Sequence, residues 1–327
     1  MTTRWGIAAT GRMAAAFATD LALVPDAELA FVGSRTPDRA AEFAGQFSAS
    51  GSGTYRDLLA ADLDVVYIAT PHPQHHALAL AAIEAGTPVL VEKAFTATLA
   101  GAQEVVDAAR AAGLFCMEAM WTRFQPAVVR AKELVDAGEI GEPLMVTADF
   151  GAQRDFDPAS RLFDLALGGG SVLDLGVYPI SLAQYVLGRP DSVTVTGTTY
   201  PNGADRSAAI HLAHEDGRAA ALMCTLAAET PGRAVVVGTE GSLELQPRFH
   251  HPDSFVVRRN GQDPEEVELP RTGAGYFHQA VEVQRCLAEG LTESPTMPLA
   301  DTLDVQWVLE ECLGQLGIEI GEASVEL

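Results

Sequence analysis

The sequence predicts an α/β protein in two parts: an N-terminal doubly wound parallel sheet, then an α/β domain built on a mainly antiparallel, open sheet. Three observations predict it. Up to about residue 120, short apolar runs alternate with Ala-rich segments of helical periodicity, the pattern of βαβ units. Further on, apolar runs follow one another through turns such as Glu215-Asp216-Gly217 and Asn260-Gly261, as antiparallel strands do. A chain of 327 residues exceeds the usual size of a single core, and its 48% hydrophobic content can fill two.

Taken in order, residues 5–9, 29–33, 65–70, 89–91 and 114–117 are runs short enough to be buried parallel strands. The segments between them, 13–23, 38–47, 74–85 and 100–112, carry apolar residues at helical spacing. A helix at 125–137 is stopped by Gly138. Strands are then expected at 144–150, 193–199, 208–213, 219–227, 234–238, 242–245 and 254–258. Helices at 171–187 and 276–289 are expected to cover one face of that second sheet. The last helix, 302–316, has no sheet of its own and could return to the first domain.

Composition narrows the function. With 21 basic and 44 acidic residues the net charge is −23, which argues against nucleic acid and anionic membranes as partners, since both need a basic face. Arg12 and Asp20 interrupt the first apolar stretch, so neither a secretory leader nor a membrane span is expected there. Cys116, Cys224, Cys286 and Cys312 are widely spaced and lack any C-x-x-C pairing. Reduced thiols, a cytoplasmic location and no bound metal follow as expectations.

Chemistry enters where the first strand runs into Gly6-Ile7-Ala8-Ala9-Thr10-Gly11-Arg12-Met13-Ala14. Ala9, Gly11 and Ala14 occupy the small-residue positions of a dinucleotide fingerprint, so the backbone from Ala9 through Thr10, Gly11, Arg12 and Met13 would approach a pyrophosphate. Ala9 departs from the glycine usual at the tightest turn. At the end of the second strand an NAD site would carry an acid for the ribose hydroxyls. Here Ser34-Arg35 stands instead, with Arg39 a helical turn later. Guanidinium groups suit a 2′-phosphate, which favours NADP over NAD; surface solvation is the other use of these arginines.

Thr70-Pro71-His72-Pro73-Gln74-His75-His76 follows the third strand, as a stiffened loop on the expected nicotinamide side. One of His72 and His75 is a candidate substrate contact, and a satisfied loop imidazole is the alternative for each. The run Val89-Leu90-Val91 ends abruptly in Glu92-Lys93. Ligand crevices of parallel sheets lie beyond the carboxyl ends of strands, so Lys93 is placed to meet substrate, although a solvated Glu–Lys pair would look the same in isolation. After Gly168-Gly169-Gly170, Asp174 and Tyr178 are four residues apart on an expected helix and share a face. They can orient a hydroxyl and share its proton; a dipole-favoured Asp and a core Tyr are the alternative.

With these motifs in order, and with Met117-Glu118-Ala119-Met120-Trp121-Thr122-Arg123-Phe124 between them, the chain resembles the glucose-fructose oxidoreductase / inositol dehydrogenase / rhizopine catabolism family along almost its whole length. It is most similar to the branch of dimeric dihydrodiol dehydrogenases and NADP-dependent xylose dehydrogenases. The resemblance implies a Rossmann domain at 1–122 and a substrate-binding and oligomerisation domain at 123–327, whose open sheet would form a homodimer or homotetramer. It implies Lys93 as the proton-transfer group, completed by Asp174 and Tyr178, with Glu92 and Lys93 beside the cofactor and Trp121, Arg123 and Phe124 walling the substrate pocket. Trp121 would serve equally as core. Ala94 replaces the proline that the family carries after the lysine, which removes a device that could fix the lysine's direction. The implied activity is NADP-dependent hydride transfer on a sugar, polyol or cyclic trans-diol. A 3-ketosugar reductase of the same family and a non-catalytic NADP-binding sensor are the alternatives.

Overall fold

The computed structural model describes residues 2–327. The chain divides into two compact units: Met1–Ala119 with Thr272–Thr302 and Gly321–Leu327, and Met120–Arg271 with Leu303–Ile320.

The first unit is built on six parallel strands in the order β3-β2-β1-β4-β5-β6. They are β1 (Thr3–Ala8), β2 (Ala27–Gly33), β3 (Gly51–Gly53), β4 (Val65–Ile68), β5 (Val89–Glu92) and β6 (Cys116–Ala119). Helices α1 (Arg12–Leu21), α2 (Pro37–Phe47), α3 (Tyr55–Leu59), α4 (His75–Glu84) and α5 (Leu99–Ala112) make the connections. Every residue of β4, β5 and β6 is buried, as expected of strands covered on both faces. The strand order reverses between β1 and β4, and ligand crevices form outside the carboxyl ends at such a switch. The expected strands and helices are present. The short β3 and α3 were not foreseen: Gly51-Ser52-Gly53 offers no apolar pattern, and α3 is only five residues long, though Thr54 and Asp57 cap it reciprocally.

The second unit carries the order β14-β13-β12-β11-β7-β10-β9-β8. These strands are β7 (Pro143–Gly151), β8 (Ser192–Thr199), β9 (Asp205–Ala213), β10 (Ala219–Thr225), β11 (Ala234–Gly238), β12 (Gly241–Leu245), β13 (Ser254–Arg259) and β14 (Glu265–Glu268). All neighbours are antiparallel except β7 and β10, so the sheet is mixed and mostly antiparallel. Val146, Ile210, Leu222, Val236, Leu243 and Val257 are buried at alternate positions on one face. Helices α6 (Pro126–Asp136) and α7 (Val177–Leu187) pack on this sheet, α7 against β7 and β10 and α6 against β12 and β13. One segment, Leu165–Leu187, is long and apolar enough to match a membrane span, and 78% of that window is buried in the protein, as befits a core helix.

Two placements differ from the sequence expectation. Helix α8 (Phe277–Ala288), expected over the second sheet, groups with the first unit and packs against α1. The cause is Asp20, whose buried carboxylate accepts the N–H groups of Ala274, Tyr276 and Phe277 at 2.9, 2.8 and 3.2 Å and so anchors the N-terminus of α8. In helix α9 (Leu299–Gln315), expected to return to the first domain, everything from Leu303 onward belongs to the second unit. Gln315 accepts from the Val195 N–H and donates to the Val193 carbonyl, and Asp304 accepts from Gln184, which fastens α9 to β8 and α7.

Candidate active site

In the first unit the β1–α1 turn has the form of a phosphate cradle. Gly11 caps α1 in extended conformation, no side chain caps the helix, and a Cβ on Gly11 would point into open space. The first amides of α1, from Arg12 and Met13 on, are therefore available to an anion, and these residues fit a dinucleotide pyrophosphate. Ala9 holds φ at 150°, a conformation that favours glycine. Ser34, directly after β2, is a buried residue whose hydroxyl accepts the Thr36 N–H, and Arg35 and Arg39 are exposed.

Across the switch, the loop after β4 carries Thr70, Pro71 and His72. His72 is buried, with its ring edge-on to His75 at 5.8 Å. His75 departs from the expected substrate contact: it is fully buried, with Nδ1 3.0 Å from the Ala94 carbonyl oxygen and Nε2 2.7 Å from that of Thr70. Burial, reinforced by the Lys93 charge, pushes its pKa down to about 4. A neutral ring has one N–H, so it donates to one of these carbonyls at a time. His76, the second residue of α4, pairs with Glu104 at 2.7 Å.

Glu92 is buried at the end of β5, where one carboxylate oxygen accepts the Tyr67 hydroxyl at 2.5 Å and the other the Lys93 N–H at 3.1 Å. Through the second of these bonds Glu92 fixes the backbone of Lys93. Lys93 itself is half-buried, and the peptide to Ala94 is cis.

In the second unit a 3-10 turn, Trp121–Phe124, presents Trp121, whose indole N–H donates to the Tyr178 hydroxyl at 3.0 Å. This bond brings two of the foreseen residues together. Phe124 is buried in the same turn. Arg123 departs from the expected pocket wall: it is 1% exposed and its guanidinium donates to Gln184 Oε1 at 2.6 Å and to Ser181, while lying over the Tyr185 ring. A charge buried that deeply needs such partners, and α7 supplies them.

Asp174 pairs with Arg161 at 3.3 Å. The segment Val172–Gly176 is a π-helical turn leading into α7, so the four-residue spacing from Asp174 to Tyr178 is wound more widely than an α-helix would wind it. The glycines before it have a packing role. Gly170 sits at φ +134°, and a Cβ there would collide with the buried carboxylate of Asp205. Asp205 Oδ2 accepts the Ser171 hydroxyl and the Val172 N–H, each at 2.6 Å, and caps the helix from β9.

An aromatic group that no sequence motif marks surrounds Tyr178. Phe150 stacks on His250 at 4.2 Å, the Tyr178 ring lies 5.0 Å from His250, and Trp121 lies 5.3 Å from His251. His250 and His251 come from the loop after β12, far from any motif, and only their adjacency marked them. Among the described residues no group of three His, Cys, Asp or Glu side chains is arranged to hold a metal ion.

Residues 3–120 match the oxidoreductase family with an NAD-binding Rossmann fold, and residues 128–244 match the GFO/IDH/MocA C-terminal domain. Trans-1,2-dihydrobenzene-1,2-diol dehydrogenase of Xenopus tropicalis is 32% identical over 97% of this chain and 99% of its own. The chain belongs to the Gfo/Idh/MocA oxidoreductase family. The NADP-dependent D-xylose 1-dehydrogenase of Hypocrea jecorina, also 32% identical, covers 98% of this chain and 94% of its own. Levoglucosan dehydrogenase in complex with NADH and levoglucosan has the same fold, with a TM-score of 0.89 at 22% identity, covering 97% of this chain and 98% of that one. A 3-ketoreductase from Actinomadura kijaniata in complex with NADP and TDP-benzene matches at TM-score 0.82 and 24% identity, over 96% and 98% of the two chains. As a Gfo/Idh/MocA member the protein is an NAD(P)-dependent dehydrogenase acting on CH–OH groups.

Proposed function

We propose that this dehydrogenase moves hydride between NADP and a secondary carbinol or hemiacetal carbon of a sugar, polyol or cyclic diol. The observation that carries the reading is Lys93: a lysine leaves the carboxyl end of β5, one strand from the switch point, with its backbone fixed by Glu92. Full-length relatives named for a cyclic diol and for D-xylose support the substrate class. Ser34, Arg35 and Arg39 in place of a ribose-binding acid support NADP.

The bound cofactor supplies the hydride chemistry, and the chain supplies position and a proton path. In this reading Ala9–Met13 hold the pyrophosphate, Arg35 holds the 2′-phosphate, and Thr70, Pro71 and His72 line the nicotinamide side. Lys93 takes the substrate's hydroxyl proton in the oxidation direction, while Tyr178 and Asp174 engage its hydroxyls. The Trp121 indole, by donating to the Tyr178 oxygen, fixes the position of that hydroxyl. Phe150 and His250 beside Tyr178 offer stacking area for a ring substrate.

We place the protein in the cytoplasm, where its four free, buried cysteines stay reduced. Aldoses, polyols and cyclic diols screened with NADP and NAD by nicotinamide absorbance test the function. Turnover of one class with NADP preferred is expected; NADP binding without turnover of any would sink the enzymatic reading of the site and favour a sensor.

A further inference from the structure

The loop after β4 and the loop after β5 are tied together twice. Inside, the His75 ring lies between the Thr70 and Ala94 carbonyls. Outside, two consecutive residues from far along the chain bridge the same loops. Glu322 Oε1 accepts both the N–H and the hydroxyl of Thr98, each at 2.8 Å, and the next residue, Ala323, donates its N–H to the Pro73 carbonyl at 2.7 Å. Thr98 is also the N-cap of α5, its hydroxyl accepting the Gly101 N–H, so the Glu322 carboxylate sits at a helix N-terminus where negative charge is favoured.

The chain from Lys93 to Thr98 is consequently held at nearly every step. Glu92 takes the Lys93 N–H, His75 meets the Ala94 carbonyl, the Thr96 hydroxyl donates to the Thr98 carbonyl, and Glu322 takes the Thr98 donors. A misplacement of about 1 Å at a reacting group costs on the order of 10²-fold in rate, so a device that fixes this stretch acts on chemistry without touching substrate. We propose that His75 and Glu322 are positioning residues for Lys93, which they hold by clamping the loop after β4 onto the loop after β5. The inference rests on the reading of Lys93 as the proton-transfer group.

The test compares the full-length parent with Glu322→Ala, Glu322→Gln, Ala323→Pro, Lys93→Met and Glu322→Ala/Lys93→Met, on a substrate that the parent turns over. Gln keeps the accepting oxygen, whereas Pro at 323 removes the donated N–H and also restricts the backbone at 322 and 323. Glu322→Ala and Ala323→Pro should each lower kcat by about 5–20-fold with KM within about twofold, and Glu322→Gln should restore kcat to within about twofold of the parent. In the Lys93→Met background, Glu322→Ala should cost less than about twofold more, because the group being positioned is gone. Independently of turnover, amide hydrogen exchange of the unliganded protein should speed up about tenfold in peptides covering 71–76 and 94–101 in Glu322→Ala. A Glu322→Ala protein that loses thermal stability with kcat intact overturns the proposal. So does full loss on top of Lys93→Met. Near-parent turnover by Lys93→Met instead removes the reading beneath the proposal, and the two failures are told apart by that single variant.

Discussion

At the scale of single residues, the expected consequences fall on chemistry and on cofactor choice. Lys93→Met keeps most of the aliphatic stem and deletes the ammonium. Turnover should fall about 10²–10⁴-fold while NADPH affinity, read by dihydronicotinamide fluorescence, stays within a few-fold. Near-parent turnover would exclude Lys93 as the principal acid or base. Arg35→Ala should weaken NADP by about 1.5–3 kcal/mol, the worth of a charge-assisted hydrogen bond, and leave NAD almost unchanged; equal loss for both would remove Arg35 from the 2′-phosphate. Lys93, Gly11 and Tyr178 could be picked out in the sequence because each sits at the edge of a strong local pattern. The partners of His75 and Arg123 could not. An imidazole between two carbonyls and a guanidinium folded onto α7 depend on neighbours 19 and 61 residues away, which no local pattern encodes.

At the scale of elements, the helix that carries Asp174 and Tyr178 depends on its entry. Gly170 at φ +134° leaves room for the Asp205 carboxylate, and that carboxylate caps the helix through Ser171 and Val172. Gly170→Ala should therefore cost about 2–4 kcal/mol in urea unfolding, combining a strained backbone with a displaced cap. A loss below about 1 kcal/mol would mean that the entry relaxes freely. The glycine run reads from sequence as a flexible lead-in, and the structure makes one of its members a close-packing position. Strands and long helices were legible because burial imposes period-2 or helical spacing on them. The π-turn at Val172–Gly176 was not, because its residues carry the same apolar character an α-helix would.

At the scale of the molecule, one face of the second sheet stays open. Met145 and Val237 are paired on neighbouring strands and are 44% and 36% exposed; Met223, at 43%, lies on the same face of β10. We expect this apolar stripe to join two copies of the chain, by a pairing of like surfaces. Met145→Glu with Met223→Glu should shift the sedimentation profile to smaller species without lowering the melting temperature of the monomer; an unchanged profile would exclude this face. Stability should also fall in acid. The His75 pKa drops from 6.5 to about 4 on folding, so the unfolded chain binds the extra proton. Stability from this group is complete above about pH 6.5 and is lost as pH falls toward 4, by up to about 3 kcal/mol. His251 and His278, lowered by burial, push the same way. Urea midpoints of the parent and of His75→Gln, measured from pH 7 to 4.5, should converge as the parent loses this contribution.

The first unit is discontinuous: the strands end at Ala119, but the partner of Asp20 arrives with residues 274–277, and the residues that secure Thr98 and Pro73 are 322 and 323. During synthesis at about 5–20 residues per second, the six-stranded sheet leaves the ribosome well before these pieces do. The nascent chain must wait for Met120–Arg271, the larger part of the second unit, to be made before Asp20 finds its amides. Through that interval a buried carboxylate of the finished protein stands hydrated, and α1 lacks its cover. Vectorial folding of the N-terminal part can go only so far: the contacts that cover α1 and tie the loops after β4 and β5 wait for residues 274–277 and 322–323.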